Sequence, residues 1–119
     1  MATYTPRRGD IVWLSFTPQA GHEQAGHRPA FVVSPESYNR KTGLFIVCPI
    51  TSKIKGYPFE VPIPSNLIPK STSGSSVVLA DQIKSLDWKA RQARFIAKAG
   101  DIITEEVIAH IMPLIDPEA

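Results

Sequence analysis

Short apolar runs separated by polar breaks rich in proline and glycine set the pattern of this chain. Residues 9–16 (GDIVWLSF) alternate as a strand does, with Val12, Leu14 and Phe16 on one face and Ile11 and Trp13 on the other. Residues 19–26 (QAGHEQAG) carry two glycines, no apolar periodicity and no anchor larger than alanine, which predicts a mobile surface loop. Residues 29–33 (PAFVV) and 44–50 (LFIVCPI) are strand-like, and SPESYNRKTG between them predicts a short helical turn with a bend at Gly43. Residues 58–63 (PFEVPI) alternate too, but Pro58, Pro62 and Pro64 offer no ladder donor, which places them at a sheet edge or strand end. A serine-rich connection over 65–76 leads to expected strands at 77–83 and 94–98, around a turn near 87–91. Only the last segment reads as a helix. Thr104 is its expected N-cap, Glu105 and Glu106 suit the positive end of its dipole, and Val107, Ile108, Ile111, Met112 and Ile115 recur at helical spacing until Pro113 kinks or ends it. The expectation is a mainly β fold: a small curled antiparallel sheet or barrel capped by a C-terminal α-helix.

Composition narrows the class. The 119 residues suit a single domain over 1–119. The longest apolar run, at 44–50, falls far short of the roughly 20 residues needed to span a bilayer. The first ten residues lack a secretory stretch and the lone cysteine forms no internal disulfide, so the expected location is cytoplasmic. The net charge of +2 hides an uneven distribution. Residues 1–27 balance, residues 28–98 carry +7, and residues 99–119 carry −5 with no Lys or Arg. A basic body of this kind can gather phosphates or face an acidic protein segment; an ordinary solvated surface is the competing reading.

The chain has no GxGxxG, Walker A, HExxH, CxxC or GxSxG element, which removes support for nucleotide-dependent, zinc-hydrolase and serine-hydrolase chemistry. His22, Glu23 and His27 match no familiar metal-site spacing, so no metal and no cofactor are expected. Cys48 reads as inert core, His110 as a solvent-facing or helix-end residue, and Trp13 and Trp88 as packing. A better constellation comes from three rim segments: His27-Arg28-Pro29, Thr51-Ser52-Lys53, and Lys55-Gly56-Tyr57-Pro58-Phe59. A guanidinium holds two phosphate oxygens at once, hydroxyls bond another, and lysines add positive potential, so together they suit a phosphodiester. The competing reading pairs Arg28 with Glu23 or Asp81 and leaves Thr51 and Ser52 as turn caps.

RGDIVWLSF (8–16), EQAGHRPAFVVSP (23–35), YNRKTG (38–43), CPIT (48–51), KGYPFEV (55–61) and VVLADQIKSLDWKAR (77–91) together resemble the MazF/PemK-like toxin endoribonucleases, the mRNA interferases of type II toxin-antitoxin systems. The resemblance implies a twisted SH3-like barrel of the CcdB/MazF/Kid type with a terminal helix, a homodimer, metal-independent cleavage of single-stranded RNA, and a cognate MazE-like antitoxin as inhibitor. It implies Arg28 and Thr51 as catalytic residues, and RNA recognition through the loops at 19–27 and 51–57. The RNA-binding residues expected on this basis are Glu23, His27, Ser52, Lys53, Lys55, Tyr57, Gln82 and Arg91, with Lys53, Lys55 and Arg91 on flanking phosphates. His27 and Arg28 are adjacent along a strand and so face opposite ways, which favours His27 in base recognition over proton transfer. Two alternatives share the fold: a non-enzymatic toxin that poisons DNA gyrase, and a plain SH3-like nucleic-acid-binding module.

Overall fold

Strand β3 (Leu44–Thr51) is apolar on both faces and eight residues long, and it is the strand on which the others are laid. The computed structural model describes residues 4–15, 27–69 and 75–118. Among these, the order is β1 (Asp10–Ser15), β2 (His27–Val32), α1 (Glu36–Thr42), β3, β4 (Glu60–Ile63), β5 (Ser76–Leu79), β6 (Lys84–Asp87), β7 (Arg94–Lys98) and α2 (Asp101–Ile115). All pairings are antiparallel, in the order β4-β5-β3-β2-β1-β7. One edge of β3 carries β2; its other edge carries β6 along Leu44–Val47 and then β5 along Ile50 and Thr51. This corrects the expectation of one strand over 77–83. The chain leaves the ladder after Leu79, turns at Ala80 and Asp81, and rejoins as β6 because β3 presents more edge than β5 covers. β4 lies at the end of the strand order, with Pro62 opposite Val77, as its prolines require.

Strand alternation sorts the core into two layers. Ile11, Phe31, Cys48 and Val78 face one way with Val107 and Ile111 of α2; Val12, Leu14, Ala30, Val32, Phe45 and Val47 face the other way with Trp88. Fully burying a Val, Leu, Ile or Phe side chain contributes about 1.5–3 kcal/mol, so these layers dominate the stability. Trp88 donates its indole N–H to the Asn39 carbonyl at 2.9 Å, and Trp13 packs half-buried on the α2 layer; both tryptophans are packing residues. The expected bend at Gly43 is the left-handed C-cap of α1, where φ is +75° and the amide donates to the Asn39 carbonyl.

α2 starts earlier than Thr104. Gly100, at φ +95°, takes the N-cap position and lets the chain turn from β7 straight into the helix, so Thr104 lies one turn inside with its amide on the Gly100 carbonyl. The helix runs through Pro113 and ends two residues later. Of the expected apolar face, Val107 and Ile111 are buried, Ile108 is half-buried, and Met112 and Ile115 are exposed.

Gly9 closes the sheet onto this helix. Its amide donates to Val32 of β2, its carbonyl accepts from Ala99 beyond β7, its φ is +92°, and an added Cβ would stand 2.9 Å from Thr104 Oγ1. Gly9→Ala is therefore expected to cost about 1–3 kcal/mol, read as a lower urea midpoint at unchanged slope. Burial, with the negative charge of Asp81 as a smaller cause, pushes the Cys48 thiol from 9.0 up to about 12. The folded thiol should resist iodoacetamide at pH 8 and react once the protein is denatured. Because the folded value is raised, Cys48 leaves stability unchanged below pH 9 and erodes it as pH climbs towards 12; Cys48→Val should decline less steeply in alkaline urea titrations, the remainder coming from the raised phenols of Tyr4 and Tyr57.

Candidate active site

The β2–β3 ladder pairs Ala30 with Pro49, Phe31 with Cys48 and Val32 with Val47. Beyond the last pair, alternation along each strand puts Arg28 on the face of Ala30 and Thr51 on the face of Pro49, which is one side of the sheet. Both line one cavity of about 390 Å³, with Leu14, Ala30, Val47 and Leu86 as its apolar floor and Gln82 and Lys84 on its walls. Residues 23 apart in the chain are thus brought to one place by strand pairing.

Lys84 is a site residue the sequence reading missed. It pairs with Val47 at the start of β6, and so belongs to the same face as Arg28 and Thr51. Reading 77–83 as one strand hid it; the alternation Gln82, Lys84, Leu86, which all line the cavity, was the available signal.

A second cavity of about 300 Å³ adjoins the first and shares Thr51, Leu79 and Gln82 with it; Lys53, Lys55, Tyr57, Glu60 and Asp81 complete its wall. Its rim is tied down. Glu60 accepts the amides of Lys55 at 2.9 Å and Gly56 at 3.0 Å, which holds the turn that presents the lysines. Tyr57 donates its hydroxyl to Asp81 Oδ2 at 2.6 Å, and that bond, foremost among the causes, raises the phenol above its ordinary range. Asp81 Oδ1 is buried without a hydrogen-bond partner among the described residues. Thr51 Oγ1 accepts the amide of Lys53 at 3.1 Å, so the turn-capping role is real, and the hydroxyl proton is still available for donation.

The other expected residues are placed elsewhere. His27 is on the opposite face of β2 and lines a separate cavity of about 380 Å³ with Gln92, Ala93 and Arg94. Arg91 lies at the end of β1, its carbonyl accepting the Ser15 amide at 2.9 Å and its guanidinium 3.5 Å from the Ser15 carbonyl, so it is not beside Lys53 and Lys55. Ser52 is exposed and lines neither Thr51 cavity. Glu23 and the rest of the loop at 19–26 lie outside the described residues, as does His22. His110 is half-buried, edge-on to Phe59 at 6.3 Å, with Nδ1 2.8 Å from the Glu106 carbonyl oxygen.

Comparison with known proteins gives this geometry a context. The profile of the PemK-like, MazF-like toxins of type II toxin-antitoxin systems matches residues 7–115. The chain is 45% identical to the endoribonuclease toxin MazF of Escherichia coli K12 over 107 residues, 90% of this chain and 88% of that one. It is 33% identical to the endoribonuclease PemK of Escherichia coli over 113 residues, covering 91% and 80% of the two chains. Among solved structures, a MazE–MazF complex from Deinococcus radiodurans superposes with a TM-score of 0.83 at 50% identity, covering 94% and 96% of the two chains. MazF from the same organism gives 0.78 at 51% identity, covering 94% and 97%. A sheet with a C-terminal helix in the same fold, and a sequence match across nearly the whole chain, place this protein in the PemK-like, MazF-like toxin family of type II toxin-antitoxin systems.

Proposed function

We propose that the chain is a sequence-specific, metal-independent endoribonuclease toxin that cuts single-stranded mRNA in the cytoplasm and is inhibited by a cognate MazE-like antitoxin. The observation that carries this reading is the meeting of Arg28 and Thr51 in the lining of one cavity, from the same face of two neighbouring strands. The ribose 2′-hydroxyl attacks the adjacent phosphorus; the new O2′–P bond forms as the P–O5′ bond breaks, leaving a 2′,3′-cyclic phosphate and a 5′-hydroxyl. One proton leaves O2′ and one reaches O5′. Because the nucleophile belongs to the substrate, the protein's task is to align it and to stabilise charge. Arg28 binds the non-bridging oxygens as negative charge builds, Thr51 donates its hydroxyl to the same phosphate, and Lys84 adds a second positive charge across the cavity. Lys53 and Lys55, on the adjoining cavity, take flanking phosphates. His27, on the opposite face of β2, is suited to a neighbouring base rather than to the reacting atoms. A duplex would deny both the in-line geometry and the base edges, so the substrate is single-stranded.

The toxin acts as a homodimer in this reading. Ile102 is 80% exposed and Ile115 69% exposed, with Leu114 and Met112 beside Ile115 on the last turns of α2, and a second copy would cover these apolar side chains.

Incubation of the purified protein with a long single-stranded RNA in excess chelator should yield discrete cuts with 5′-hydroxyl ends. Retention of RNA without cutting would replace this reading with a binding module. Arg28→Ala should lower the cleavage rate by at least a hundredfold to a thousandfold while leaving the fold and most RNA affinity intact. RNA affinity of either protein should fall steeply as salt rises. An acidic antitoxin segment should compete with RNA for the basic surface, so simultaneous binding of the two would remove competition as the mode of inhibition.

A further inference from the structure

Cations gather at both ends of the sheet, and the proposed cleavage uses only one of them. Its cavities lie where β3 ends at Thr51; α1 lies where β3 begins, and eight residues of strand set the two ends about 23 Å apart. Around α1 stand Arg7, Arg8, Arg40, Lys41 and Lys89, all exposed. Contacts between distant parts of the chain bring them together. Glu36 pairs with Arg7 Nε at 3.2 Å and with Arg40 Nη2 at 2.9 Å, so one carboxylate aligns two guanidiniums, and Lys41 follows in the last turn of the helix. Arg8 Nε donates to the Val33 carbonyl at 2.6 Å. Lys89 Nζ lies 5.5 Å from the centre of the Trp88 ring, whose indole N–H is bonded to Asn39 of α1. Against these five cations stand Glu36; Asp87, whose Oδ1 accepts the amides of Lys89 and Ala90; and Asp10, which is buried and takes the Tyr4 hydroxyl and the Arg7 amide on Oδ2. The surface stays positive.

Arg7 and Arg8 are each bound through Nε alone among the described residues. An arginine held by that nitrogen keeps both terminal amino groups for a ligand, and this edge takes two phosphate oxygens at once. We propose that the α1 end of the sheet is a second RNA-docking surface, which holds the phosphate backbone of a long single-stranded substrate away from the cut and reads no sequence. An acidic protein segment would call for apolar anchorage as well. Tyr38 and Leu44 are the exposed large apolar side chains of this region, each only 37% exposed, whereas a phosphate backbone is held by charge through release of its counterions. RNA long enough to reach both ends of the sheet is then one ligand bound at two places, and a fragment that covers the cut alone lacks the second attachment.

This inference rests on the RNA-cleaving reading, and the two fail differently. A short RNA that covers one mapped cut site is compared, in excess chelator, with a long unstructured RNA that contains the same site. The full chain is used unaltered and as the triple variant Arg40→Gln, Lys41→Gln, Lys89→Gln, which removes three exposed charges and one exposed ion pair of little weight in stability. The unaltered protein should show the lower KM on the long RNA. The variant should raise that KM roughly tenfold at low salt, with kcat on the long RNA and both constants on the short RNA unchanged. In a plot of log affinity against log salt, its slope for the long RNA should be shallower by about 2, at about 0.7 per cation on a single strand. Equal KM values of the unaltered protein for the two RNAs, equal loss on both RNAs in the variant, or an unchanged slope overturns the inference and leaves the nuclease reading standing. Loss of poly-glutamate binding by a variant that binds long RNA normally would assign the surface to an acidic protein segment and overturns it too. Absence of cutting on any RNA removes both readings. The comparison of RNA lengths with the unaltered protein decides the matter even if the variant fails to fold.

Discussion

The register of the β2–β3 ladder is the constraint on which the rest depends. Three pairs, Ala30 with Pro49, Phe31 with Cys48 and Val32 with Val47, fix which side chains of the two strands share a face. A slip of one residue would send Arg28 to the α2 face and leave Thr51 behind. The apolar residues of the same strands prevent that slip, because it would also turn Phe31 out of the α2 layer and Val32 out of the Trp88 layer. The geometry of the cavity is thus enforced by core burial of a few kcal/mol per side chain rather than by contacts among the polar groups themselves. Those polar groups stand beyond the last pair of the β2–β3 ladder, each still held on its other side, Arg28 by Leu14 of β1 and Thr51 by Val77 of β5.

The same alternation divides labour between neighbours in the chain. His27 and Arg28 are consecutive, yet one looks towards Arg94 and Gln92 and the other towards Thr51 and Lys84. In the proposed mechanism this keeps an imidazole away from the phosphate that Arg28 engages, and leaves charge stabilisation to a guanidinium, a hydroxyl and an ammonium. Gln92 supports the separate character of the His27 side: it holds φ +54°, a left-handed conformation in a non-glycine residue, at the turn that shapes that cavity.

Much of this was legible in the sequence, for reasons that can be named. The alternation of residues 9–16, the prolines around β4 and the glycine after YNRKT each constrain the backbone locally, and each element formed close to its expected place. Rim position and phosphate-binding chemistry grouped Arg28 with Thr51, and the resemblance gave them their roles, but no local pattern states the register between strands that brings them to one cavity. Two boundaries were not legible. Thr104 has the chemistry of an N-cap, but Gly100 reaches a left-handed conformation more cheaply and starts α2 a turn earlier. Residues 77–83 have the apolar content of one strand, but the length of β3 and the second partner of β5 divide the run, which tertiary pairing decides and composition does not.

That division is what supplies the site. An unbroken strand would have sent Asp81 and Gln82 alternately to the two faces of a sheet; the turn at Ala80 and Asp81 instead brings both to the wall of the cavity beside Thr51. The turn is held on both sides. The Ala80 amide donates to the Phe59 carbonyl at 3.0 Å, its carbonyl lies 3.8 Å from the buried Cys48 sulfur, and the Gln82 amide returns to the Leu79 carbonyl at 3.1 Å. The raised Cys48 thiol reports the same closeness from the core side, since the charge of Asp81 contributes to it. A carboxylate anchored this near the apolar layer holds its position without help from mobile surface groups.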